Sequence, residues 1–343
     1  MRNIRNLTIA SIIIVYIVIL AGGTVRMTGS GMGCPDWPKC FGYLIPPTER
    51  TDIEWKKNHS YKKNQIIIFN DSLIYANKDF KSTDSIIRGN WKNYTKHDYS
   101  KFNVYHTWIE YINRLIGAIA GLSVLILFIN SLRFIKKRRV VTILAFLSLI
   151  GILFQAWLGK TVVDSNLLAG KITIHMLMAI LIVSILFVLL SKLNEKDSSL
   201  IFNRYISNLT LISLALLLIQ VISGTEIRQF VDIEMISNNY SDKDKWLINP
   251  PKSLYFHRSF SIIIFIVNSL IFLKLKKMVI HSKIFKLIMI LLFIQILTGI
   301  IMYYFNFPFS TQPIHLLIST LIIGFQVYFY VLLNNNKKNG IKN

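Results

Sequence analysis

Apolar residues in this sequence arrive in long blocks, and the blocks recur eight times: near residues 7–23, 107–131, 140–158, 172–191, 206–223, 255–273, 287–304 and 314–333. Each is roughly 20 residues with almost no charge, the length an α-helix needs to cross a ~30 Å hydrocarbon core. The sequence therefore predicts an all-α integral membrane protein with eight transmembrane helices.

The formal net charge is +22, which by itself suggests a nucleic-acid binder. The distribution argues against that, because the cations sit between the apolar runs rather than on one folded surface. "MRNIRN" precedes run one, "RFIKKRRV" separates runs two and three, "KLKKMVIHSK" separates runs six and seven, and "KKNGIK" follows run eight. If the helices alternate in direction, all four segments share one side. Short basic loops face the cytoplasm, so both termini are expected there, in the cell inner membrane. The Lys-rich segment between runs one and two is too long for that rule to bind it, and is expected to be an extracytoplasmic loop spanning 24–105. Run one, with its basic start and the "ILAGG" at its end, also has the form of a cleaved signal peptide.

An internal repeat argues that run one is retained. Run one ends "GTVRMTG" and run five "GTEIRQF", which sets Gly23 opposite Gly224 and Arg26 opposite Arg228. Run two opens "EYINRLIG" and run six "LYFHRSFS", setting Asn113-Arg114 opposite His257-Arg258. Gln155 and Gly159 of run three match Gln295 and Gly299 of run seven, and His175 of run four matches His315 of run eight. The expected architecture is two tandem four-helix bundles of like orientation, an N-terminal unit over 1–192 and a C-terminal unit over 193–343.

Of seven histidines, His59, His97 and His281 lie in polar segments and read as solvated surface. His106, His175, His257 and His315 each stand at the start of an even-numbered run, all on the extracytoplasmic side of the expected topology. A lone membrane histidine can simply hydrogen-bond a neighbouring helix. Four at one depth in a duplicated pattern suit two cofactor sites gripped from facing helices. Zinc would want more ligands. Haem needs one or two axial imidazoles and apolar walls. Arg26, Arg114, Arg228 and Arg258 stand where they can pair with haem propionates, or snorkel to the interface.

These motifs carry a resemblance. "GGTVRMTGSGMGCPDWPKCFGYLIPP", "HTWIEYINRLIG", "QAWLGKTVVDSNL" with "ITIHMLMA", "FHRSFS" and "PIHLLIS" together resemble the heme A synthase family over all eight runs. The insertion from about Glu49 to Asn103 lies outside the pattern; its "NQIIIF" and "DSLIYA" are expected to form strands. The resemblance implies an oxidoreductase that converts one ring methyl of haem O to the formyl group of haem A. Two successive hydroxylations give a gem-diol, which loses water. It implies haem b as cofactor between His257 and His315 in the second half, the substrate haem at His175 in the first, and a catalytic role for Glu110. It also implies partners in haem O synthase, an electron donor and the lipid membrane, and a place in cytochrome oxidase biogenesis.

The sequence departs from the pattern at Asn113, where the family has histidine. Two readings stand: His106, about two helical turns earlier, ligates a shifted haem, or the substrate iron has one strong ligand, His175, and an open face near Glu110 and Asn113. For Glu110 the alternative to catalysis is an i, i+4 ion pair with Arg114. Cys34 and Cys40 match a loop cysteine pair of the family. They are expected to close a disulfide-stapled lid over the substrate site, with a redox role as the alternative. Two rival functions remain, a di-haem membrane cytochrome oxidising quinol and a repeat-built transporter, the latter disfavoured by the aliphatic helix interiors.

Overall fold

A computed structural model describes residues 1–95, 102–194, 200–238 and 241–340. His97 lies outside the described residues. Eight long α-helices carry the fold: α1 (Arg2–Met27), α2 (Val104–Ser131), α3 (Arg139–Val163), α4 (Ala169–Leu193), α5 (Arg204–Ser237), α6 (Lys252–Lys277), α7 (Lys283–Tyr304) and α8 (Thr311–Gly340). Among the described residues, all eight are long and apolar enough to cross a membrane. Their outward faces bear large apolar side chains, Ile13, Leu122, Leu153 and Phe293 each more than half exposed. Such a continuous apolar exterior is stable only against lipid, and the chain is a multi-pass membrane protein.

Polar residues set where helices begin. The side chain of Asn103 accepts from the amides of Tyr105 and His106 at the start of α2, Asn203 caps α5 through Ile206 N, and Ser282 caps α7 through Phe285 N. These caps satisfy amides that have no carbonyl partner within the helix.

Successive helices pack as hairpins, α1 on α2, α3 on α4, α5 on α6 and α7 on α8. Helix α1 also contacts α4, and α5 contacts α8, so α1–α4 and α5–α8 each share a core. Helix α8 is the bridge between them, packing on α1 and α4. There Tyr16 Oη donates to Thr320 O at 3.1 Å, and Gly324 admits both Tyr16 and Phe187; a methyl at 324 would lie 2.5 Å from each. A second polar lock sits within α5–α8, where Ser213, Asn268 and Gln326, all fully buried, hydrogen-bond to one another.

The segment between α1 and α2 is not plain loop. It holds β1 (Ser60–Tyr61), β2 (Ile66–Phe69), β3 (Ser72–Ala76), β4 (Phe80–Lys81) and β5 (Trp91–Asn93). Strands β2, β3 and β5 form an antiparallel sheet with Ile67 opposite Ile74, and β1 pairs with β4. The two apolar stretches expected as strands are β2 and β3. Their side chains build two small cores, one of which takes in Cys34 and Cys40.

Candidate functional site

One small station recurs in all four helix hairpins. On the odd helix a glycine faces the even helix, and a planar side chain fills the space its missing side chain leaves. A methyl added at Gly159 of α3 would lie 3.4 Å from Cε1 of His175 on α4. At Gly224 of α5 the distance to Cε1 of His257 on α6 is 3.1 Å, and at Gly299 of α7 it is 3.5 Å to Cε1 of His315 on α8. The fourth station is Gly22 on α1, 3.9 Å by the same measure from Asn113 Oδ1 on α2. Gly22, not Gly23, is thus the structural counterpart of Gly224. This corrects the repeat register by one residue and brings Arg26 and Arg228 each four residues beyond their glycine. Gly23 instead lies against Pro313 and Leu316 of α8.

Four residues before each of three station glycines stands a glutamine: Gln155, Gln220 and Gln295. Gln155 Nε2 donates to His175 O at 3.0 Å, and Gln220 Nε2 to His257 O at 2.9 Å. Each bond ties the two helices of a hairpin at the level of the histidine. Gln220 escaped the sequence reading, although a search for Gln-x-x-x-Gly would have found it in all three helices.

His257 and His315 face each other with ring centroids 6.5 Å apart. Two imidazoles bound to one metal, each nitrogen about 2 Å from it, put their centroids about 6 Å apart, close to the spacing of this pair. Ser223 Oγ lies 2.9 Å from His257 Nδ1, and Thr298 Oγ1 lies 2.8 Å from His315 Nδ1. Among the described residues, no group of three or more His, Cys, Asp or Glu could hold a metal ion.

His175 stands alone at its station, its Nδ1 buried without a hydrogen-bond partner, and the buried Oδ1 of Asn113 is likewise unpartnered. His106 is not at the fourth station. It lines a cavity of about 350 Å³ between the two halves, with Met27, Met235, Trp246, Phe307 and Gln312.

Glu110 is 3% exposed and both its oxygens are engaged: Oε1 with Arg114 at 2.5 Å, Oε2 with the Cys34 amide at 2.8 Å. The i, i+4 ion pair is present. Arg114 also donates to the carbonyls of Asp36, Lys39 and Cys34, at 2.7, 2.9 and 3.4 Å. Cys34 and Cys40 form a disulfide. Gly33 lets this loop settle on α2, where an added methyl would fall 2.4 Å from His106 O, and Thr107 Oγ1 donates to Gly33 O. Nearby, Tyr94 Oη donates to Pro35 O; burial pushes its phenol up to about 12 and raises the Asp36 carboxyl.

Arg26 and Arg228 converge on Asp232, each at 2.6 Å, and Arg228 also donates to Arg26 O. Asp232 was not singled out from the sequence, though it stands i+4 from Arg228. Arg258 lies over the Tyr303 ring, 5.8 Å from its centroid.

Comparison with known proteins bears on the same residues. The chain is 25% identical over 356 residues to a Rickettsia prowazekii protein named heme A synthase, covering 95% of this chain and 96% of that one. A Rickettsia africae protein of the same name is 25% identical over 358 residues, with the same coverage. One from Shewanella oneidensis is 25% identical over 219 residues, 62% of this chain and 53% of the relative. A family described as COX15-CtaA, cytochrome oxidase assembly protein, matches residues 5–81 and 87–327. The match runs through most of the segment from Glu49 to Asn103, so that insertion, expected to lie outside the pattern, is aligned with the family. With nearly the whole chain matched, the protein belongs to the COX15-CtaA family of cytochrome oxidase assembly proteins.

Proposed function

We propose that this protein is a heme A synthase, oxidising a ring methyl of haem O to the formyl group of haem A by successive hydroxylations. The observation that carries the reading is the set of four glycine-backed stations, three filled by histidine and one by asparagine. Two of the histidines face each other as a pair for one iron, and the third lacks such a partner. The pair is assigned to resident haem b, the unpaired station to the substrate.

In this reading residues 193–343 form the haem b unit, and His257 and His315 would hold it. When bound, haem b supplies a one-electron carrier. Residues 1–192 form the substrate unit. His175 would bind the substrate iron from one side, and Asn113 would stand at the opposite station, where it leaves that face without a second imidazole. Glu110, held dry beneath the disulfide loop, is the group to take up and return protons there. Arg114 keeps it oriented and keeps the loop closed against water. His106, in the seam between the halves, is assigned to the wall between the two haem sites rather than to iron. Arg26, Arg228 and Asp232 together carry one net positive charge, which favours a propionate nearby. The basic short loops orient both termini to the cytoplasm of the inner membrane. The reaction also calls for an enzyme supplying haem O and, for each hydroxylation, dioxygen as oxidant with an electron donor that reduces its second oxygen atom to water.

Co-expression with a haem O producer, followed by pigment extraction, tests the whole reading. Haem A and its hydroxylated precursor are expected. Haem b without either would favour the di-haem quinol cytochrome, and a colourless protein would favour a transporter. The assignment of Asn113 has its own test. Gly22 leaves room for a ring, so Asn113→His should convert the first-half haem to a low-spin, two-imidazole spectrum. An unchanged spectrum would mean that Asn113 does not stand opposite His175 across the substrate iron.

A further inference from the structure

The three histidine stations differ in whether the residue before the glycine carries a hydroxyl: Ser223 before Gly224, Thr298 before Gly299, but Leu158 before Gly159. The two hydroxyls are doubly engaged. Ser223 Oγ lies 2.9 Å from Gln220 O, and Thr298 Oγ1 lies 2.9 Å from Gln295 O. A carbonyl has no proton to give, so each hydroxyl spends its single proton there. Toward the imidazoles, at 2.9 and 2.8 Å, the same oxygens can then only accept. With the hydroxyl protons so placed, Nδ1 of His257 and of His315 carries the hydrogen, and each Nε2 keeps its lone pair. Such a bond from the outer ring nitrogen fixes tautomer and ring orientation and makes the inner nitrogen the better donor. His175 has none of this. Its Nδ1 is buried with no partner, because leucine stands where the other two stations have a hydroxyl.

We infer that Ser223 and Thr298 are positioning residues that hold the resident haem, and that Leu158 keeps the first-half imidazole a weak, exchangeable ligand. The inference rests on the assignment of haem b to His257 and His315 and of substrate to His175. A catalyst whose substrate and product are both haems must retain one and release the other. Here the difference is written in one residue per station. The ring, the backing glycine and the glutamine four residues earlier recur at all three.

The test uses the purified full-length protein carrying its haems, with an excess of a haem-scavenging apoprotein to follow loss from each site. Ser223→Ala and Thr298→Val are each expected to release haem b about ten-fold faster, the lower end of the range for losing a ligand-orienting group. Its reduction potential should also rise, since a weaker donor stabilises ferric iron less. Thr298→Ser should restore both. Leu158→Ser is expected to act in the opposite direction, slowing release from the first half about ten-fold. Unchanged release rates and potential in Ser223→Ala and Thr298→Val, or unchanged first-half release in Leu158→Ser, would overturn the inference while leaving the function intact. Absence of haem b from the unaltered protein would instead remove the functional reading, and this inference with it.

Discussion

His315→Ala protein, purified from cells, is expected to have lost its low-spin haem b absorption, and His257→Ala protein to match it. The facing rings share one iron position in the proposed site, so removing either leaves a single axial nitrogen. Loss of a group that merely orients a ligand weakens metal binding roughly 10–100-fold, and loss of the ligand itself should exceed that. The helices should survive. His315 is clasped by its station glycine and Thr298, but the hairpin of α7 and α8 is also held, away from that station, by an apolar core that includes Phe285, Ile288, Leu292 and Phe329. His106→Ala is the contrasting variant, because His106 lines the seam cavity and stands at none of the four stations. It should retain the haem b spectrum in full. The measurement is the absorption spectrum of reduced and oxidised protein at matched concentration. A normal low-spin spectrum from His315→Ala would end the assignment of the second half as the haem b site.

The helices were legible in the sequence because lipid imposes a length and a composition that survive without any knowledge of packing. The recurrence of the stations was legible too, through the histidines. Its register was not: Gly23-Thr24 looks like Gly224-Thr225, but only the side that each glycine presents decides the match, and Gly22 is the one facing Asn113. Asp232 was missed for a related reason. An aspartate near a helix end is unremarkable until the fold brings Arg26, from a helix remote in sequence, within 2.6 Å of it. The hydroxyls of Ser223 and Thr298 look like ordinary helix serine and threonine, bonded back to their own backbone. Their second contact, across to an imidazole, exists only once two helices are packed. The i, i+4 pair of Arg114 with Glu110 was legible from spacing alone, but its bonds to three loop carbonyls were not.

That arrangement makes Arg114→Ala the most damaging single change expected outside the histidines. The pair is nearly dry, with the Glu110 side chain 4% exposed and the Arg114 side chain 14%. Removing one partner of such a pair costs about 3–5 kcal/mol, because the other charge is left buried and uncompensated. The three loop carbonyls lose their donor at the same time. Glu110→Gln in the same chain should recover part of the loss, since a neutral amide carries a far smaller burial penalty. The shortfall from additivity then measures the coupling, expected at about 0.5–3 kcal/mol for groups in direct contact. Arg114→Lys should fall between, keeping the charge but not the planar fork that reaches several acceptors at once. Thermal unfolding in detergent gives the stability differences, and the rate at which a thiol reductant opens the Cys34–Cys40 bond reports whether the loop still sits on α2. If Arg114→Ala kept its stability and the disulfide stayed as protected as before, the loop would not be anchored there, and Arg114 would return to being a candidate for the propionates.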